Sequence, residues 1–222
     1  MSGAGEAGQG HESGHGHGLG LGLGEGHWDP VANRIGMWLF LLTEILLFGT
    51  LFLIFAAYFR EFEADYHHAA RELNRLIGAG NTLVLLTSSL TMALAISALR
   101  KGRTRASLAF MAGTIGLALV FLTIKGFEWN HKFESGLYMD SDTLLALPRG
   151  EILFFGLYFV MTGLHALHVV VGAALIGATA FLVRRGRVRP GRMSLAENAG
   201  LYWHLVDLIW IYLFPLFYLI GR

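Results

Sequence analysis

Long apolar runs separated by short polar stretches dominate the chain from residue 34 onward. They cover residues 35–59, 79–99, 106–125, 152–183 and 199–221. A helix rises 1.5 Å per residue, so each run crosses a hydrocarbon core of about 30 Å. None alternates with the period of two that a strand requires, and a membrane β-barrel would need far shorter runs. The pattern therefore predicts an all-α, polytopic membrane protein: a bundle of five transmembrane helices. The run at 152–183 is long enough to tilt or to project beyond the bilayer.

The polar stretches between the runs orient the bundle. Residues 100–105 carry Arg100, Lys101, Arg103 and Arg105 without an acid, and residues 184–192 carry Arg184, Arg185, Arg187, Arg189 and Arg192 without an acid. Both lie at the same end as the N-terminus. The opposite connections, 60–78 and 126–150, mix bases with many acids. The excess of cations on cytoplasmic loops places the N-terminus inside and the C-terminus outside. Arg184, Arg185 and Arg187 are expected to meet anionic phospholipid headgroups at the inner surface.

Composition supports the class and removes others. The chain is 54% hydrophobic and 15% charged over 222 residues, too little charge to cover a soluble domain. It has no cysteine, which excludes disulfides, thiolate metal sites and iron–sulfur clusters. The formal net charge of +1 says nothing about an anionic partner, because the position of charges matters more than their sum in such a chain, and no nucleic-acid binding is expected. Residues 1–28 are Gly-rich, with His11, His15, His17 and His27 scattered among them; they read as a disordered tail before a membrane domain at 29–222. No cleavable signal is expected, because no basic region precedes an apolar stretch there. Arginine outnumbers lysine, which suggests a bacterial source and hence the bacterial inner membrane.

Within the apolar runs, a few polar residues stand out. Glu44 lies ten residues past Arg34, roughly 15 Å along the helix, where an ionised carboxylate is costly. It must face protein and be protonated, paired or hydrated. His165 and His168 share a stripe with Met161, Gly172 and Thr179, while Gly156, Gly163 and Gly177 offer close approach elsewhere. Glu128 follows Lys125 by one turn, as a local ion pair would. His204 and Asp207, three apart, are placed to bond each other or, beside Trp203 and Trp210, to anchor a partner subunit. Histidines three apart on one helix cannot ligate a heme iron from both sides, and the Glu-x-x-His pairs of a di-iron bundle are missing. Inter-helix hydrogen bonding is the better reading for Glu44, His165, His168, His204 and Asp207, with Glu44 or Glu128 as acceptors. No catalytic constellation and no metal site is expected in this chain.

Three stretches together resemble the subunit III family of cytochrome c oxidase and related heme–copper oxidases. They are WLFLLTEILLFGTLF around Glu44, GLHALHVVVGAAL at 163–175 and YWHLVDLIWIYLF at 202–214; FEWN at 127–130 resembles a shorter signature that places Glu128 on a family position. The larger members have seven helices, whose first two form one arm of a phospholipid-holding V, and this chain corresponds to the last five. The resemblance implies an accessory subunit with no redox centre of its own, packed against a catalytic subunit I that carries heme and copper, beside other respiratory-complex subunits. It implies a role in stabilising that subunit and supporting proton uptake during aerobic electron transport, with Glu44 the best candidate for proton handling. Five-helix members also accompany nitric oxide reductases. Two alternatives lie outside this class: a b-type cytochrome anchor using His165 or His168 with His204, and a proton-coupled carrier centred on Glu44.

Overall fold

The computed structural model describes residues 30–137 and 141–221, so the tail expected at 1–28 lies outside the described residues. The elements in order are α1 (Pro30–Glu61), α2 (Glu63–Arg71), α3 (Arg75–Arg100), α4 (Thr104–Glu134), α5 (Asp142–Leu145), α6 (Arg149–Arg184) and α7 (Ser194–Phe214), followed by a π-helical turn at Pro215–Leu219. Five spans are long and apolar enough to cross a membrane: Arg34–Glu61, Arg75–Arg100, Thr104–Glu134, Arg149–Arg184 and Ser194–Leu219. A helix satisfies every backbone polar group within itself, the condition for crossing hydrocarbon.

Several helices run past the apolar stretches that mark them. α4 continues through Glu128 to Glu134 and α6 begins at Arg149. The polar connections at 60–78 and 126–150 therefore contain helix, including α2 and α5. α3 and α6 stop instead at glycines near the arginine-rich end. Gly102 has φ 71° and its N–H reaches Leu99 O at 2.9 Å, while Arg103 N–H reaches Ala98 O at 2.9 Å. Gly186, at φ 70°, repeats the arrangement with Val183 O at 3.0 Å and Arg187 N–H on Leu182 O at 3.0 Å. A residue with a Cβ is strained in this left-handed position, and the paired bonds close the helix abruptly. Only residues 101–103 separate α3 from α4, so the two pack antiparallel.

Their contact is a seam of small and hydroxyl side chains. α3 buries Asn81, Leu85, Ser88, Met92 and Ala95, and α4 buries Ser107, Met111, Thr114 and Ala118, each set recurring every three to four residues. Such stripes let membrane helices approach closely, and Thr91 Oγ1 bonds Thr114 Oγ1 across the seam at 2.8 Å. α6 is central, touching α1, α2, α4 and α7. Gly172 admits α7 to it: a Cβ there would lie 2.8 Å from the Trp203 ring. Gly156, expected at a packing face, has nothing within 4 Å of such a Cβ, and Gly177 meets only Ile115 at 3.9 Å.

α1 lies at the edge. In its most apolar stretch 17% is buried, against 50% for the last span. The buried apolar positions are Leu41, Phe48 and Phe55, seven residues apart, a seam one side chain wide. Glu44 falls on that seam, three residues after Leu41 and four before Phe48. Pro215 has no N–H to continue the ladder of α7, and the chain answers with the π turn rather than a break.

α2 caps the end of the bundle away from the arginines. With the first residue of α3 it holds the end of the last span: His67 Nδ1 donates to Ile220 O and Arg75 to Gly221 O. Tyr66 is fully buried among Phe55, Phe59 and Phe154, and its hydroxyl has no hydrogen-bond partner. Burial, with Tyr58 adding to it, pushes the Tyr66 hydroxyl up to about 12. The folded chain then keeps a proton that the unfolded chain releases near 10, so stability falls as pH rises from about 10 to about 12. Tyr66→Phe removes both the orphan hydroxyl and this alkaline loss. Thermal unfolding of that variant is expected to be unchanged or up to about 1 kcal/mol more stable at neutral pH, and flatter with pH above 10.

Candidate functional site

Glu44 is paired with a histidine on another helix. Its Oε2 lies 2.7 Å from His168 Nε2, joining α1 to α6. The other ring nitrogen, Nδ1, is 2.7 Å from Leu164 O. A carbonyl can only accept, so Nδ1 carries a hydrogen, and a single proton lies between Nε2 and the carboxyl whenever the pair is neutral. Either the carboxylic acid donates to the imidazole or the imidazolium donates to the carboxylate. Phe48 meets the ring edge-on at 5.3 Å and Tyr202 stacks at 6.4 Å, holding it in place.

Glu128 belongs to a second cluster. Lys125 Nζ donates to Glu128 Oε2 at 3.1 Å, to Tyr158 Oη at 3.0 Å and to Tyr218 Oη at 2.7 Å. Both tyrosines donate to Glu128 Oε1, at 3.0 and 2.6 Å. The ammonium has three hydrogens and all are used; it also lies over the Tyr158, Trp210 and Tyr218 rings. The local ion pair is formed, and it is buried within the bundle. The tyrosines carry no sequence motif. The signal that points to them is the lysine itself, since a buried ammonium requires three acceptors and Tyr158 lies two turns from His165 on α6.

Inter-helix bonding is found for His204 but not for His165 or Asp207. His165 is fully buried, yet neither ring nitrogen has a partner. Neither Glu44, bonded to His168, nor Glu128, bonded to Lys125, hydrogen-bonds it; the rings of Phe121, at 5.6 Å, and Trp210, at 5.2 Å, pack against it. His204 does not bond Asp207. Its Nδ1 lies 2.6 Å from Ser89 Oγ on α3, and the Asp207 oxygens have no hydrogen-bond partner. Trp203 and Trp210 do not face outward as anchors. They are buried, and their Nε1 groups donate to Ser88 Oγ and Thr82 Oγ1, each at 3.1 Å. Hydroxyls on α3 thus take up the polar atoms of α7, a pairing that composition suggests but does not assign.

Arg184, Arg185 and Arg187 are exposed at the end of α6, with Arg185 packed 4.2 Å over the Phe181 ring. Among the described residues, no group of three His, Asp or Glu side chains converges as a metal ligand set.

The chain matches known proteins along this whole arrangement. It is 31% identical over 205 residues to cytochrome c oxidase subunit 3 of Thermostichus vulcanus, covering 88% of this chain and 91% of that protein. It is 30% identical over 187 residues to cytochrome c oxidase subunit 3 of Alkalihalophilus pseudofirmus, covering 84% and 86%. A heme-copper oxidase subunit I+III of Aeropyrum pernix is 31% identical over 210 residues; the match takes in 87% of this chain and spans 24% of that longer protein. The family model of cytochrome c oxidase subunit III matches residues 26–222, which contain the Glu44–His168 pair, the Lys125 cluster and the Ser89–His204 contact. The chain belongs to the cytochrome c oxidase subunit III family.

Proposed function

We propose that this chain is the accessory subunit III of a heme–copper oxidase, packed in the membrane against the subunit that holds the hemes and copper. The observation that carries the reading is the Aeropyrum pernix relative, which joins subunits I and III in one protein. In this reading the chain stabilises subunit I and supports proton uptake, and its own residues hold no redox group. The proton role rests on Glu44 and His168, whose acid and base atoms lie 2.7 Å apart at the thinly buried edge of the bundle.

The arginine-rich end then faces the cytoplasm of a bacterial inner membrane, and Arg184, Arg185 and Arg187 lie among anionic headgroups. Gentle detergent purification through this chain, followed by an absorption spectrum, tests the assignment. Hemes should arrive with a large catalytic subunit and leave when that subunit is stripped away. Heme that stays on the isolated chain would overturn it.

Glu44→Gln tests the proton role separately. A glutamine keeps a donor toward His168 but cannot release a proton, so the complex should assemble while turnover slows or fewer protons are pumped. Normal turnover and pumping would sink the role. Glu44→Leu leaves His168 Nε2 without a partner and should weaken the chain by about 1–3 kcal/mol.

A further inference from the structure

Three helices leave a cleft of about 550 Å³ between them at the arginine-rich end. α1 lines it with Arg34 and Trp38, α3 with Arg100, and α7 with Glu197, Asn198 and His204. Along α7 the lining runs from Ser194 to His204, ten residues or about 15 Å, so the cleft reaches from the polar boundary into the apolar run. Its volume is that of a small-molecule site.

The charges in the cleft do not cancel. Arg100 Nη2 donates to Glu197 Oε1 at 3.0 Å, which satisfies one guanidinium and the carboxylate together. Arg34 is exposed and, among the described residues, pairs with no carboxylate. The lining keeps an excess of one positive charge, and Lys101, Arg103 and Arg105 follow directly after Arg100.

A second hollow adjoins the first. Arg34 and Trp38 also line an apolar groove of about 450 Å³, whose other walls are Ile35, Leu39 and Leu42. These positions fall on one face of α1, and the four apolar ones are each half exposed or more. A neighbouring transmembrane helix would fill the groove but leave the excess charge in the cleft unanswered. A free phosphate would answer the charge but not the groove. One molecule that carries both a phosphodiester and an acyl chain meets both.

We propose that cleft and groove together bind a single anionic phospholipid. Its phosphate lies between Arg34 and the Arg100 hydrogens that Glu197 does not use, since the guanidinium fork suits phosphate oxygens. One acyl chain lies along Ile35, Leu39 and Leu42, and the Trp38 indole stands at the junction, the depth that tryptophan favours in a bilayer. Glu197 is already held by Arg100, so no open carboxylate invites the ammonium of a zwitterionic headgroup. The site is separate from Arg184, Arg185 and Arg187 at the end of α6, and it does not depend on which catalytic subunit the chain accompanies.

Native mass spectrometry of the full chain in its native complex, stripped of lipid in detergent, tests this. Phosphatidylglycerol and phosphatidylcholine with the same acyl chains are added back separately. One phosphatidylglycerol per chain should be retained at least tenfold more tightly than phosphatidylcholine, the factor that one charge-assisted hydrogen bond is worth. Arg34→Gln should remove that preference. Leu39→Trp, which fills the groove, should weaken retention of both lipids, while Arg184→Gln should behave as wild type. Equal retention of the two lipids by the wild type, or an unchanged preference in Arg34→Gln, would overturn the proposal. Displacement of the lipid by an equal concentration of inorganic phosphate would assign the cleft to a free anion instead. Uptake only after the other subunits are stripped away would show that protein, not lipid, covers this face.

Discussion

Lys125→Met is expected to cost the bundle about 3–5 kcal/mol, the range for removing one partner of a buried ion pair. Lys125 is 3% exposed and joins α4, α6 and the last span through Glu128, Tyr158 and Tyr218. Methionine fills much of the same volume, so the loss comes from charge rather than from a cavity. Glu128 would be left as a buried anion with two phenolic donors and without the ammonium that bonds it. Neutralising it as well should recover most of the stability: in Lys125→Met with Glu128→Gln, both tyrosines still donate to the amide oxygen. Unfolding in mixed micelles, followed by tryptophan fluorescence, reads both variants. A single mutant as stable as wild type, or a double mutant no better than the single, would show that the ion pair is not what holds the three segments.

Gly172→Val is expected to separate α6 from α7. A Cβ at this position would lie 2.8 and 3.0 Å from two ring carbons of Trp203 and 3.2 Å from Tyr202. Trp203 is fully buried and donates to Ser88 on its far side, so its ring cannot retreat without breaking that bond. Overpacking of a close-packed interior costs about 1–3 kcal/mol even for one added carbon, and Gly172→Ala should show a loss of that size. Valine adds two further methyls and should abolish stable assembly. Gly156→Ala is the control, because nothing lies within 4 Å of its Cβ, and it should melt as wild type or slightly higher. Copy number in membranes and retention of the complex on a column report all three. Wild-type assembly of Gly172→Val would mean that the two helices do not meet there.

The spans were legible because length and hydropathy set them with little competition from packing. The partnership of Glu44 was also within reach, since an acid at that depth needs a neighbour and histidines on another run were available. The cluster at Lys125 was only half legible. The glutamate one turn away is local, but Tyr158 and Tyr218 come from 33 and 93 residues further along, and bundle packing alone brings them in. His165 shows the opposite failure. A histidine on an interior stripe suggests a hydrogen bond, yet packing sets the Phe121 and Trp210 rings against it and no acceptor reaches it. Asp207 failed for the same reason, because Ser89 lies beside His204 where a bond along one helix face seemed natural.

The two charged pairs differ in when they can form as the chain is made. Lys125 and Glu128 leave the ribosome three residues apart on one helix, so their charges cancel before any other span has joined. The helix that carries them enters the bilayer nearly neutral, and the tyrosines arrive afterwards. Glu44 and His168 are 124 residues apart. Glu44 must therefore enter hydrocarbon as an uncharged acid and wait for its base, through the synthesis of α3, α4 and most of α6. Membrane insertion thus favours a protonated Glu44 until His168 reaches it.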